Sequence, residues 1–191
     1  MTDDPEPAVV AEVARDAALL AALAAVQARG AIGESSLTTA VAHADGFVRM
    51  LPAGARRLVD LGSGGGLPGL VIAVRRPDLV ITLVERRHTR ADLLRRAVAT
   101  LALGERVTVV ADDVRQLALT DPRAFDVVTA RSFAAPPVTA RWASALLVAG
   151  GILVVSEPPL DDPHRWPPAL LERCGLTDQG RDQGVRVFSR A

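Results

Sequence analysis

Five short runs of apolar and β-branched residues recur through the chain with helix-like segments between them: "RRLVDL" (56–61), "LVITLVE" (79–85), "RVTVVA" (106–111), "FDVVTA" (125–130) and "GILVVSE" (151–157). Their apolar residues fall on consecutive positions, the pattern of strands covered on both faces. Strands and helices alternating at this spacing predict a doubly wound α/β fold: a mostly parallel sheet, helices on both sides, right-handed crossovers. Helices are expected at 68–74, 90–101 and 138–147, with a short turn near Arg115. Upstream, residues 8–29 are rich in Ala and Leu and stop at Gly30; a second helix within 34–51 has Ser35 or Ser36 as its cap and ends at Pro52 and Gly54. Downstream, a helix near 168–173 precedes two strand candidates, around Leu176 and at 185–189, expected to add an antiparallel hairpin. The whole, 1–191, reads as one domain, with a helical extension (1–54) ahead of the α/β core (55–191).

Composition narrows the chemistry. Arg and Asp+Glu balance at 22 each, so any basic surface is a local patch rather than a global field. Every basic residue other than the histidines is Arg, which excludes a Schiff-base lysine or a phosphate-loop lysine. The single Cys174 excludes a disulfide framework and a thiolate cluster, and His43, His88 and His164 lack ligand-like spacing, so no metal is expected. Trp142, Trp166 and Cys174 read as packing. The acidic opening "MTDDPEPAVV" reads as a loose tail, unlike a signal peptide, and no apolar stretch is long enough to span a bilayer. The expectation is a soluble cytoplasmic protein.

The segment "LVDLGSGGGLPGL" (58–70) carries five glycines within eight residues, directly after the first strand. In a doubly wound sheet that turn is a ligand site. Two ligands suit it. Gly64, Gly66 and Gly69 satisfy G-x-G-x-x-G, the loop that lays a dinucleotide pyrophosphate on a helix N-terminus. Alternatively, Asp60 with Gly62, Gly64 and Gly66 is a carboxylate followed by bare backbone, which suits the positively charged end of S-adenosylmethionine. Asp60 fits a cationic ligand better than an anionic one. Glu85, 25 positions on and at the end of the second strand, is placed to bind ribose hydroxyls of either cofactor. Asp112, Asp113 and the amide of Val114, after the third strand, are candidates for holding an adenine. Ser63 and Leu67 complete the expected cofactor loop, and Pro68 is expected in the first turn of the next helix.

Taken in order, "DLGSGGGLPGL", "RPDLVITLVE", "RRHTRADLLRRAV", "LALGERVTVV" and "FDVVTARSFAAP" resemble the bacterial small-subunit ribosomal RNA guanine-N7 methyltransferases, the glucose-inhibited-division B family. The resemblance runs from about residue 32 to 157, and its most specific pieces are Leu-Pro-Gly after the loop and Ala-Arg-Ser-Phe after the fourth strand. It implies a Rossmann-like class I methyltransferase fold with extra N-terminal helices. It implies S-adenosylmethionine as cofactor, with Asp60, Gly62, Gly64 and Gly66 facing it and Glu85 at its ribose. It places Arg131 at the active-site mouth, as catalytic and cofactor-binding residue. Guanine N7 has a free lone pair at neutral pH, so transfer to it needs no general base, and no His/Asp or Cys/His pair stands out here. Arg86, Arg87 and Arg90, continued by Arg95 and Arg96, with Arg131, form the expected ribosomal RNA patch. Phe133 is a candidate for stacking on a base, or for core packing, and His43 is near the mouth or in the core. The chain departs from the family where members carry a lysine after the fifth strand, since Ser156-Glu157-Pro158-Pro159 stand there; it also ends at Ala191 where members carry a basic, proline-containing segment. Each departure removes cations from an RNA-binding face. The competing expectations are a paralogue acting on a small molecule or another RNA, and a non-catalytic cofactor-binding module.

Overall fold

The computed structural model describes residues 7–160 and 162–191. The segment read as a loose tail, residues 1–6, lies outside them. In chain order the elements are α1 (Pro7–Gln27), α2 (Leu37–Met50), β1 (Arg57–Leu61), α3 (Gly69–Arg75), β2 (Val80–Val84), α4 (His88–Thr100) and β3 (Val107–Val110). There follow α5 (Val114–Thr120), β4 (Phe125–Ala130), α6 (Pro136–Leu146), β5 (Leu147–Ser156), α7 (Pro168–Cys174), β6 (Leu176–Asp182) and β7 (Val185–Arg190). The strands form one sheet in the order β3-β2-β1-β4-β5-β7-β6, parallel up to β5 and antiparallel at the last two. The order reverses at β1 and β4, so the loops after these two strands lie side by side at the switch point.

Adjacent residues of a strand face opposite sides, and the two cores divide accordingly. Leu58, Ile81 and Leu83 pack with Leu19, Leu23, Phe47, Leu70 and Leu94, the face covered by α1 to α4. Val59, Leu61 and Val84 pack with Leu117, Leu146, Leu170 and Phe188 on the other face. Asp60 shares the parity of Leu58 and is therefore carried inside, toward α3.

Three expectations change in detail. The turn near Arg115 is a full helix, α5, because Asp113 caps it by accepting from the Arg115 amide at 2.9 Å. The fifth strand begins at Leu147, with no loop after α6, since its first residue already pairs with Phe125. Pro68 precedes α3 at the cap position instead of lying within its first turn. The second helix does take Ser36 as its cap, through the Thr39 amide.

The N-terminal helices are tied to the sheet domain by Arg75, which pairs with Asp16 of α1 and, at 3.1 Å, with Asp45 of α2. These hydrogen bonds, Asp16 first, raise the guanidinium pKa against the opposing effect of burial. All three side chains are partly exposed, so the tether is worth about 1 kcal/mol after solvent screening. Arg75→Ala is expected to lower stability by that amount and to speed amide exchange in α1 more than in the sheet, as hydrogen exchange would show.

Candidate active site

The glycine loop bridges β1 and α3 and is held from several sides. Asp60 is 1% exposed; its Oδ1 accepts from Thr129 Oγ1 at 2.7 Å, on the neighbouring strand, where the two residues are register partners. Its Oδ2 is buried and has no hydrogen-bond partner. A Cβ built on Gly69 would lie 2.8 Å from that oxygen and 2.4 Å from Leu83, so only glycine lets the carboxylate sit there. Burial pushes the Asp60 pKa up to about 6, against the Thr129 hydrogen bond, the neighbouring Ser63 hydroxyl and Gly69 amide, and the charge of Arg131.

Glu85, 6% exposed, ends β2 and braces the loop. Its Oε2 accepts from the Gly64 amide at 3.1 Å and its Oε1 from the Arg87 amide at 2.8 Å. The second bond supplies the partner that α4 otherwise lacks, because its cap residue, Arg87, makes no side-chain cap. Ser63 is turned inward, its hydroxyl donating to the Asp60 carbonyl at 3.0 Å, and Leu67 packs in the core. These two therefore shape the loop from beneath.

A cleft of about 490 Å³ opens beside the loop, a volume that suits a nucleoside-sized ligand. Gly62, Glu85, Asp112, Asp113 and Val114 line it together with Arg86, Arg87, Arg90 and Arg115. Ser132, Phe133, Val138 and Trp142 form the opposite wall. Phe133 lies on Gly62, where a Cβ would meet its Cδ2 at 2.8 Å; with φ +65° at Gly62, the loop needs glycine on both counts. Ser132, between Arg131 and Phe133, adopts a left-handed conformation at φ +53°. Phe133 lines the cleft while Arg131 does not, and the Arg131 Nη1 is buried without a partner. Burial pulls the Arg131 pKa down and Asp60 opposes this, leaving a guanidinium that stays charged.

His43 on α2 lies within range of the Arg131 charge. Its Nε2 is 3.2 Å from Ser156 Oγ and its ring meets Phe47 edge-on. Burial, then the Arg131 charge, lowers its pKa, so the imidazole is neutral at pH 7. Glu157, an acid where the family resemblance leads one to expect a lysine, is turned inward. At 7% exposure it accepts from Trp166 Nε1 at 2.8 Å and pairs with Arg165 at 3.2 Å.

Sequence reading missed Thr129, Arg115, Val138 and the cleft-facing role of Trp142, which it assigned to packing. Val138 and Trp142 stand four apart on α6, a helical spacing that puts both on one face. The signal was present, but nothing in the sequence said which face met the cleft. Among the described residues no cluster of His, Cys, Asp or Glu could hold a metal, and no helix is long and apolar enough to cross a membrane.

A parallel sheet ending in a reversed β7-β6 pair, with a glycine loop after β1 and carboxylates closing β1 and β2, defines the class I methyltransferase fold. The fold is shared with an O-methyltransferase family protein from Burkholderia thailandensis (TM-score 0.66, 20% identity, covering 80% of this chain and 56% of that one). It is shared also with the cofactor-bound Rv0187 from MTB (TM-score 0.62, 21% identity, covering 98% of each). Residues 40–157 match GidB, rRNA small subunit methyltransferase G, and the chain belongs to that family. Relatives named ribosomal RNA small subunit methyltransferase G include one from Salinispora arenicola, 46% identical over 54% of this chain and 44% of its own length. Another, from Acidothermus cellulolyticus, is 37% identical over 70% of this chain and 56% of its own. The chain spans about half the length of the curated relatives it matches.

Proposed function

We propose that this protein transfers the methyl group of S-adenosylmethionine to guanine N7 of small-subunit ribosomal RNA, in the cytoplasm. The observation that carries the cofactor is the buried Asp60 carboxylate, whose Oδ2 has no partner beside a loop that excludes side chains. A negative charge there repels a pyrophosphate and stabilises an ammonium, which favours S-adenosylmethionine over a dinucleotide.

The chain's residues divide the work. Gly62, Gly64 and Gly66 offer bare backbone to the methionine end. Glu85 receives the ribose hydroxyls on lone pairs left over from the Gly64 and Arg87 amides, since each carboxylate oxygen accepts two hydrogen bonds. Asp112, Asp113 and the Val114 amide face the adenine. When bound, S-adenosylmethionine supplies a methyl group activated by a sulfonium. Guanine N7 needs no deprotonation, so transfer to it asks of the chain only that it hold and orient the acceptor. Arg86, Arg87, Arg90 and Arg115 rim the cleft and give RNA phosphates a local cationic surface on a chain of zero net charge. Because Arg75 of α3 pairs with Asp16 of α1 and Asp45 of α2, the helices up to residue 54 and the α/β core act as one domain.

Calorimetry with S-adenosylhomocysteine and with NAD tests the cofactor, and labelled methyl transfer to small ribosomal subunits lacking the N7 methyl tests the acceptor. Binding of the adenosyl ligand alone and label on a guanine of the RNA are expected. Heat with NAD alone overturns the first assignment; label on no ribosomal RNA overturns the second.

A further inference from the structure

The crown of the glycine loop is covered by a part of the chain that has no role in the cleft. Ala31 and Ile32, in the connector between α1 and α2, are half-buried against the core under those helices and lie over Gly65. A Cβ built on Gly65 would collide with Ile32 Cγ1, and would lie 2.9 Å from the Ala31 carbonyl oxygen and 3.1 Å from Ile32 Cδ1. Gly64 and Gly66 have positive φ, +55° and +98°, but Gly65 does not, so the space its missing side chain leaves is taken up by Ile32. Neither Gly65 nor Ile32 lines the cleft. The connector is built to keep this seat. Gln27 Nε2, at the end of α1, donates to the Gly33 carbonyl at 2.6 Å and to the Ser35 carbonyl at 3.0 Å, and the Ala31 amide returns to the Val26 carbonyl at 3.4 Å. Gly30, at φ +73°, and Gly33 bracket the two seated residues.

Three glycines in a row give the loop no side chain with which to anchor itself, so its backbone is fixed by what other elements lay on it. Glu85 holds the Gly64 amide, Leu70 fills the space a side chain at Gly66 would need, and Ile32 does the same at Gly65 between them. Resting on the S-adenosylmethionine reading of the cleft, we infer that Ile32 is a positioning residue for cofactor binding, and that the connector, residues 30–33, is a strap whose seat on Gly65 is coupled to occupancy of the cleft. Ile32 acts through the loop and touches no ligand. A seated strap spares the cofactor the cost of ordering a loose loop; by reciprocity, a bound cofactor holds the strap down. Because the strap is the link between α1 and α2, occupancy of the cleft is felt by both helices.

Amide exchange of the wild type with and without S-adenosylhomocysteine tests the coupling, and calorimetry of Ile32→Ala, Ile32→Val and Arg75→Ala with the same ligand tests the residue. Exchange at residues 30–33 is expected to slow about 5- to 20-fold on binding, and Ile32→Ala to weaken the ligand by a similar factor, the lower part of the usual range for coupled sites. Ile32→Val keeps a γ-methyl over Gly65 and is expected to bind as the wild type does. Arg75→Ala releases α1 and α2 from α3 without touching the strap, and its affinity is expected to be unchanged, which separates the strap from a general loosening of the helices. Unchanged exchange at residues 30–33 overturns the coupling whether or not Ile32→Ala folds. If Ile32→Ala binds like the wild type, or Arg75→Ala loses as much as Ile32→Ala, Ile32 does not position the loop. Should the wild type bind no S-adenosylhomocysteine, the cofactor reading itself fails, a result distinct from the others.

Discussion

Asp60→Asn is expected to make the free protein more stable and at the same time a poor binder of S-adenosylhomocysteine. The carboxylate is buried with its pKa raised to about 6, against 3.8 for the unconstrained group. For an acid whose folded pKa lies above its unfolded one, the native state holds the proton more tightly. This group's contribution to stability is therefore greatest below pH 3.8 and is lost as pH rises to 6. Above that, keeping it ionised inside costs up to about 3 kcal/mol, which the neutral amide avoids while still accepting from Thr129. Binding runs the other way, because the cofactor's ammonium needs the ionised form. Wild-type affinity is expected to be flat above pH 7 and to fall about tenfold by pH 5, with proton release to the buffer on binding near pH 6. Asn at this position flattens that profile. Thermal unfolding at pH 7.5 and calorimetry across pH 5 to 8 check both arms, and a wild-type affinity that ignores pH would remove Asp60 from the site.

Glu85→Ala is expected to lose at least about 100-fold in affinity for S-adenosylhomocysteine while lowering stability by only about 1 to 2 kcal/mol. The side chain does two jobs with one carboxylate: it holds the Gly64 and Arg87 amides and presents its remaining lone pairs to the cleft. Truncation frees both amides, but the Arg87 backbone reaches solvent and water enters the widened cleft, which limits the stability loss. Binding has no such escape, since the ribose partner and the loop's brace vanish together. Glu85→Gln separates the two roles. One oxygen still accepts an amide while the NH₂ opposes the other, so an intermediate loss is expected in both calorimetry and denaturant unfolding.

The order of strands and helices was readable because each strand is apolar on consecutive residues and each helix carries its own stop. Asp60 and Glu85 were readable for a related reason: a carboxylate ending an apolar run is conspicuous, and the spacing of two such runs places both at one sheet edge. What the sequence hid lay in direction rather than position. Nothing in "TARSF" announces the left-handed Ser132, or that Phe133 lines the cleft while the Arg131 Nη1 two residues before it is buried. Thr129 passed for an ordinary strand residue until the register set it against Asp60. Trp142 seemed to belong to packing because aromatic residues on amphipathic helices usually do, and only the cleft shows its other edge.

Glu157 bears on how divergence in this family is judged. Compared position by position, an acid in place of a lysine looks like a reversal of surface charge. In the folded chain the carboxylate is an internal tether, with Trp166 and Arg165 on it and the Trp166 ring centroid 4.6 Å from that of Phe188 at a tilt of 49°. Restoring lysine there would set three donors against an indole N–H and a guanidinium, uprooting an aromatic anchor before any cation reached the solvent. The acid at 157 and the indole at 166 thus act as one unit, and neither can be exchanged without disturbing the other.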